Sequence, residues 1–208
     1  MAIVPAFGDP PPPEAVEQAV RALAAAQVVG LPTDTVYGLA ADPFSTGGAD
    51  RLFLLKRRPR EMELPVLVAD EDQALALATA VPASARRLME RFWPGALTVV
   101  LPRHPDLLAD LGADDATVGL RCPDHPVPLA LCRSHGPIAT TSANLHGDPT
   151  ATTAAEVGEV FKDAVAVVLD AGPCEGAPST VVDCTGVEPK LLRDGRIPWD
   201  EVRAAALA

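Results

Sequence analysis

The stretch from Thr117 to Thr141 reads TVGLRCPDHPVPLALCRSHGPIATT. Thr117–Leu120 is a short apolar run of strand character, Val127–Arg133 has helical spacing, and Pro137–Thr141 returns to a strand. Strand, helix and strand within one short stretch form the unit from which α/β sheets are built. The pattern extends in both directions. Toward the N-terminus come strands at Leu97–Leu101, Leu64–Val68 and Val28–Leu31. Helices read over Ala83–Phe92, Asp70–Ala80, Asp50–Arg57 and Glu14–Gln27, the last from Val16, Ala19, Val20 and Leu23. Toward the C-terminus, Thr152–Phe161 is a helix with Thr152 or Thr153 as N-cap and Glu156 placed for a capping box. Strands follow at Ala164–Leu169, Thr180–Cys184 and Lys190–Leu192, then a closing helix over Pro198–Leu207. The late strands are too closely spaced for pure βαβ units, so the sheet is expected to be mixed.

The chain has 208 residues, 48% apolar and 22% charged. These values suit one globular domain with a real core and exclude collagen, coiled coil and wholesale disorder. The expected organisation is an extended Pro-rich lead-in at 1–13, one main domain at 14–197 and a terminal helix at 198–208. No apolar run approaches the roughly 18 residues of a membrane span. The start lacks a basic n-region and a long h-region, so the expected compartment is the cytosol. A formal charge of −11 opposes phosphate backbones at long range and argues against a nucleic-acid-coating protein. Cys122, Cys132, Cys174 and Cys184 form no C-x-x-C pair and are expected to be buried, idle thiols. His104, His125, His135 and His146 make no metal-binding spacing, and no metal held by protein side chains is expected.

There is no P-loop, no G-x-G-x-x-G and no G-x-S-x-G. Positive candidates remain. Arg51, Lys56, Arg57, Arg58 and Arg60 cluster without an intervening acid, either as a solvated helix end or as an anion site. Three polar segments flank strands: Pro32–Leu39, Thr140–Asn144 and Pro178–Asp183. Each could be ordinary turn chemistry; together with a basic cluster they suit a small polar ligand at strand ends. Arg121 ends an apolar strand, where a charge is costly unless paired. A bound anion or a structural salt bridge would each account for it, and Arg193 repeats the theme.

In order along the chain, PTDTVYGL at 32–39, KRRP at 56–59, WPGALT at 93–98, GLRCP at 119–123, SAN at 142–144, PSTVVD at 178–183 and LRDG at 192–195 resemble the YrdC/Sua5 family of threonylcarbamoyl-adenylate synthases. The resemblance spans roughly residues 14–197. It implies a single-domain α/β fold, an open twisted mixed sheet with flanking helices and a large concave pocket. It implies a nucleotidyl transfer in which L-threonine, bicarbonate and ATP, with Mg²⁺, give threonylcarbamoyl-AMP and pyrophosphate. The product feeds the N6-threonylcarbamoyl modification of adenosine in tRNA through a separate threonylcarbamoyl-transferase complex. Weak direct RNA binding is a further expectation; a membrane partner is not. Lys56, Arg58, Ser142 and Asn144 match the family's ATP site, with Arg60, Thr117, Thr150 and Arg193 as further nucleotide-contacting positions. Lys56 and Arg58 carry the catalytic role. Thr33, Arg121, Thr140 and Ser179 match the threonine site, with Tyr37 expected to line it.

The sequence departs from the family pattern at Arg60–Val66, where a Pro-Leu pair is usual, and at His146, where a Ser is usual. The chain stops at Ala208, which resembles the short bacterial form without the extra C-terminal domain. The alternatives are a paralogue that binds nucleotide or double-stranded RNA without making the adenylate, and a carbamoyl-adenylate-forming module.

Overall fold

The computed structural model describes residues 1–57, 60–107, 109–112, 116–145, 147–174 and 176–207. Among these residues, ten strands form one sheet: β1 (Ala2–Pro5), β2 (Val29–Leu31), β3 (Gly38–Ala41), β4 (Val66–Leu67), β5 (Leu97–Pro102), β6 (Thr117–Arg121), β7 (Ile138–Ser142), β8 (Val167–Asp170), β9 (Thr180–Asp183) and β10 (Lys190–Arg193). Their spatial order is β1-β8-β2-β3-β7-β4-β6-β5-β9-β10. β1 and β2 both run parallel to β8, β4 to β6, and β5 to β9; the remaining pairs are antiparallel. The sheet is mixed, as its closely spaced late strands imply.

Among the described residues, seven α-helices flank it: α1 (Pro13–Ala24), α2 (Gly48–Lys56), α3 (Glu71–Leu75), α4 (Ala83–Phe92), α5 (Pro126–His135), α6 (Ala154–Phe161) and α7 (Trp199–Leu207). Their ends follow local chemistry. Pro13 opens α1 at a position where its missing N–H costs nothing. The His125 Nδ1 accepts the Val127 N–H at 3.2 Å and caps α5. Thr153 Oγ1 accepts the Glu156 N–H at 3.2 Å and caps α6.

Strand alternation sorts the core into two layers. Leu39, Ala41, Val66, Leu97, Val99, Leu101, Val118, Leu120 and Val182 pack with α2, α4, α6 and α7 on one face. On the other, Val29, Leu31, Ala40, Leu67, Ile138, Val167 and Leu169 pack with α1 and α5. Those two helices cover only part of that face. Over β5, β6 and β9 the alternate residues Thr98, Val100, Gly119, Arg121 and Val181 floor a cleft instead. Among the described residues no helix is long and apolar enough to cross a membrane.

Three sequence expectations change. The 1–13 lead-in supplies β1, an edge strand registered on Val167–Asp170, so it belongs to the sheet. The helix read over 70–80 is confined to Glu71–Leu75, because Ala78 bridges Arg103 and the Thr79 N–H bonds the Pro102 carbonyl. β3 lies inside the Pro32–Leu39 segment and its continuation, which read as a polar loop from sequence.

Candidate active site

The cleft holds about 580 Å³, within the usual range for small-molecule sites. One pole is built on Arg121. It leaves the end of β6 and is 7% exposed. Its Nε donates to the Gly95 carbonyl at 3.0 Å, Nη1 to Thr35 Oγ1 at 3.1 Å and Nη2 to Asp34 Oδ1 at 2.6 Å. Burial lowers its pKa, opposed by Asp34. Of the two sequence readings of Arg121, the salt bridge is present, and the residue also lines the cleft. Thr33 caps its own turn, its Oγ1 accepting the Thr35 and Val36 N–H groups at 3.1 and 3.2 Å. On the facing strand, Ser179 Oγ stands 2.9 Å from Thr98 Oγ1 and accepts from Arg193 Nη2 at 3.0 Å. Arg193 also clamps the Ser179 carbonyl through Nε and Nη2, at 3.1 and 2.9 Å. Thr140 Oγ1 donates to the Pro65 carbonyl at 3.3 Å. Thr33, Thr140 and Ser179 all line the cleft with Arg121.

The other pole is where α2 meets the end of β7. Lys56 is 2% exposed. Its Nζ donates to the Ser142 carbonyl, to Ser142 Oγ at 3.3 Å, and to the Asn144 carbonyl and Oδ1, each at 2.7 Å. The Ser142 hydroxyl donates to Asn144 Oδ1 at 2.6 Å. Ser142 and Thr150 face the cleft, with Lys56 and Asn144 directly behind Ser142. Residues far apart in sequence thus converge at one end of the cleft. Arg58 and His146 lie outside the described residues.

Other expected positions fall elsewhere. Tyr37 is fully buried in the core and does not line the cleft; its phenol donates to the Gly172 carbonyl at 2.8 Å. Burial and the Asp170 charge push its pKa up. Arg60 sits outside the cleft, paired with Asp50 and Asp110 and stacked 4.9 Å from the Phe53 ring centroid. Those two carboxylates hold its guanidinium charged. Thr117 shares a sheet face with Gly119 and Arg121 but stands at the far end of β6, off the cleft lining. Arg193, expected beside the nucleotide, does line the cleft and is bound to Ser179. The departing segment at 60–66 forms one wall. Glu61, Met62, Glu63 and Pro65 line it, the Leu64 N–H bonds the Leu111 carbonyl, and Glu63 Oε1 accepts the Gly119 N–H at 3.1 Å.

Sequence reasoning did not single out Asp34, Thr35 or Thr98. All three lie inside quoted motifs, so the signal was present; only the fold shows that they bind Arg121 and Ser179. Two glycines make the junctions possible. A Cβ on Gly195 would stand 2.3 Å from the Ser179 carbonyl carbon, and one on Gly176 would stand 2.6 Å from the Thr35 Cα.

Fold and site define a single-sheet α/β protein with a polar cleft on an uncovered sheet face and without a glycine-rich phosphate loop. The family model Sua5_yciO_yrdC, described as telomere recombination, matches residues 21–195. A Mycobacterium tuberculosis (strain H37Rv) protein is 43% identical over 188 residues, covering 90% of this chain and 87% of its own length. The threonylcarbamoyl-AMP synthase of Bacillus subtilis is 42% identical over 192 residues, 91% of this chain and 56% of that one. The crystal structure of Pyrococcus abyssi Sua5 complexed with L-threonine superposes with a TM-score of 0.93 at 34% identity, covering 99% of this chain and 61% of that one. The chain belongs to the Sua5/YciO/YrdC family.

Proposed function

We propose that this chain is a threonylcarbamoyl-AMP synthase, converting L-threonine, bicarbonate and ATP to threonylcarbamoyl-AMP and pyrophosphate. The observation that carries the reading is the convergence of Lys56, Ser142 and Asn144 beside a cleft whose opposite pole presents Arg121 and Ser179. Relatives that span most of this chain carry the synthase name, and the Pyrococcus abyssi neighbour was solved with L-threonine.

Threonine's amine first takes up bicarbonate carbon to form a carbamate, releasing water. A carbamate oxygen then bonds the α-phosphorus of ATP as the bond to the β-phosphate oxygen breaks, and pyrophosphate leaves. No protein nucleophile is needed; positioning and electrostatics carry the chemistry. Arg121 suits the substrate carboxylate, since a guanidinium binds one in two parallel hydrogen bonds. Thr33, Thr140 and Ser179 surround that pole with hydroxyls. At the other pole, Lys56 sets a buried positive charge behind Ser142, where low dielectric strengthens its pull on phosphoryl oxygens. The family resemblance gives Arg58 a role on the same phosphates. Mg²⁺ would enter on the triphosphate and neutralise part of its charge. The cleft offers Glu61 and Glu63 among hydroxyls and arginines, a donor set that leaves the ion to the phosphates. A partly enclosed cleft also limits water attack on the carbamate and the adenylate.

The reading places the protein in the cytosol, where reducing conditions suit four free, buried cysteines. It assigns the product to a separate transferase that acts on tRNA, with at most weak RNA contact by this acidic chain itself.

The test is pyrophosphate release from ATP and bicarbonate, with and without L-threonine, in wild type and Lys56→Ala. Threonine-dependent release that falls at least a hundredfold in the variant is expected, the size of losing one charged transition-state donor, about 2.7–4 kcal/mol. Release that ignores threonine would sink the reading and favour the nucleotide-binding paralogue.

A further inference from the structure

Arg121 is the most enclosed charge on the cleft floor, its side chain 8% exposed. A cation so placed needs a partner or it turns toward water. The partner is Asp34, whose side chain is 9% exposed and does not line the cleft. Asp34 therefore holds the guanidinium from outside the cleft lining. Its backbone is itself restrained. The Asp34 carbonyl accepts from Arg196 Nη1 at 2.8 Å, the next carbonyl, on Thr35, accepts the Gly176 N–H at 2.8 Å, and the Thr35 N–H bonds Thr33 Oγ1 at 3.1 Å. Three loops meet at this one dipeptide.

A guanidinium carries five N–H groups. The Gly95 carbonyl, Thr35 Oγ1 and Asp34 Oδ1 take one each from Nε, Nη1 and Nη2. One N–H remains on each terminal nitrogen, available to an acceptor in the cleft such as a carboxylate. Without Asp34, two hydrogen bonds to neutral oxygens would have to hold a desolvated cation, and the fork would lose its aim.

Resting on the synthase reading above, we propose that Asp34 is a positioning residue: it holds Arg121 so that the two remaining N–H groups are presented to the carboxylate of the amino-acid substrate. Steady-state pyrophosphate release is measured with L-threonine and ATP varied separately, in wild type, Asp34→Ala and Asp34→Asn. Asp34→Ala is expected to raise the KM for L-threonine at least tenfold while the KM for ATP stays within twofold. Asp34→Asn keeps an oxygen acceptor without its charge and should fall between. A merely structural role would lower the Tm and leave the threonine KM of the folded protein unmoved. A threonine KM within twofold of wild type in Asp34→Ala, or equal rises in both KM values, overturns the proposal. Should Asp34→Ala fail to fold, Asp34→Asn decides on the same criterion. A wild-type protein without threonine-dependent release would overturn the synthase reading and this proposal with it. Threonine dependence in wild type with unmoved variants overturns only the role of Asp34.

Discussion

Ser179 shows how much of the site rests on single atoms. Its hydroxyl lies between Thr98 Oγ1 and the Arg193 guanidinium. Thr98→Val removes one neutral hydrogen bond in a nearly isosteric side chain. The expected cost is ~1 kcal/mol, read as a roughly fivefold rise in the L-threonine KM. An unchanged KM would show that Arg193 alone orients Ser179. Gly195 is more stringent. An added Cβ would meet Ser179 C, Thr180 N and Pro178 O at 2.3, 2.4 and 2.5 Å, all backbone atoms that cannot swing aside. Gly195→Ala is expected to cost about 2 kcal/mol or more and to draw Arg193 off Ser179. A urea midpoint equal to that of wild type would refute this. At this scale the sequence was informative about residue types and uninformative about their company. It marked Arg121 and Arg193 as charges needing partners. It could not say that Asp34 and Ser179 supply them, because those pairs close across 87 and 14 residues.

At the scale of elements, α6 was the most legible. Its cap and its acid were both read from sequence, and the structure adds that Glu156 reaches back to the Thr152 N–H at 2.7 Å. Thr153→Ala should lower stability by about 1 kcal/mol, measured by urea unfolding. The bonds from Thr152 hold the Glu156 carboxyl below its ordinary range. A depressed folded value means that this support is present above the unfolded carboxylate pKa and fades as pH falls through the lowered one. Glu156→Gln should therefore flatten the acid limb of a stability–pH curve below about pH 4.3, the ordinary Glu value, and a limb as steep as wild type's would count against it. β3 was illegible for a physical reason. Its Gly-Leu-Ala-Ala sequence carries no β-branched residue, and its strand state comes from pairing with β2 and β7 on both sides. β1 was hidden likewise, since four residues among prolines reveal nothing until β8 provides a parallel edge.

The whole molecule was legible as an α/β domain with a mixed sheet because strand and helix periods alternate clearly along the chain. The position of the cleft was not, since no local pattern says which half of a sheet face its helices leave bare. The four cysteines offer a global check. All are free and buried, and burial pushes the Cys122 thiol up to about 11 and the Cys184 thiol up to about 12. At pH 8 few thiolates form, so a thiol reagent should react slowly with native protein and with all four groups after denaturation. Fast labelling of the native state would show that the core opens readily.

The sheet that floors the cleft also divides the labour of its own side chains. Along β5, β6 and β9, Thr98, Val100, Gly119, Arg121 and Val181 face the ligand space, while Leu97, Val99, Leu101, Val118, Leu120 and Val182 face the helices. Chemistry and cohesion are interleaved residue by residue on the same strands, yet on opposite sides. Selection can therefore rewrite what the chain recognises by changing every second letter and leave untouched the letters that keep it folded.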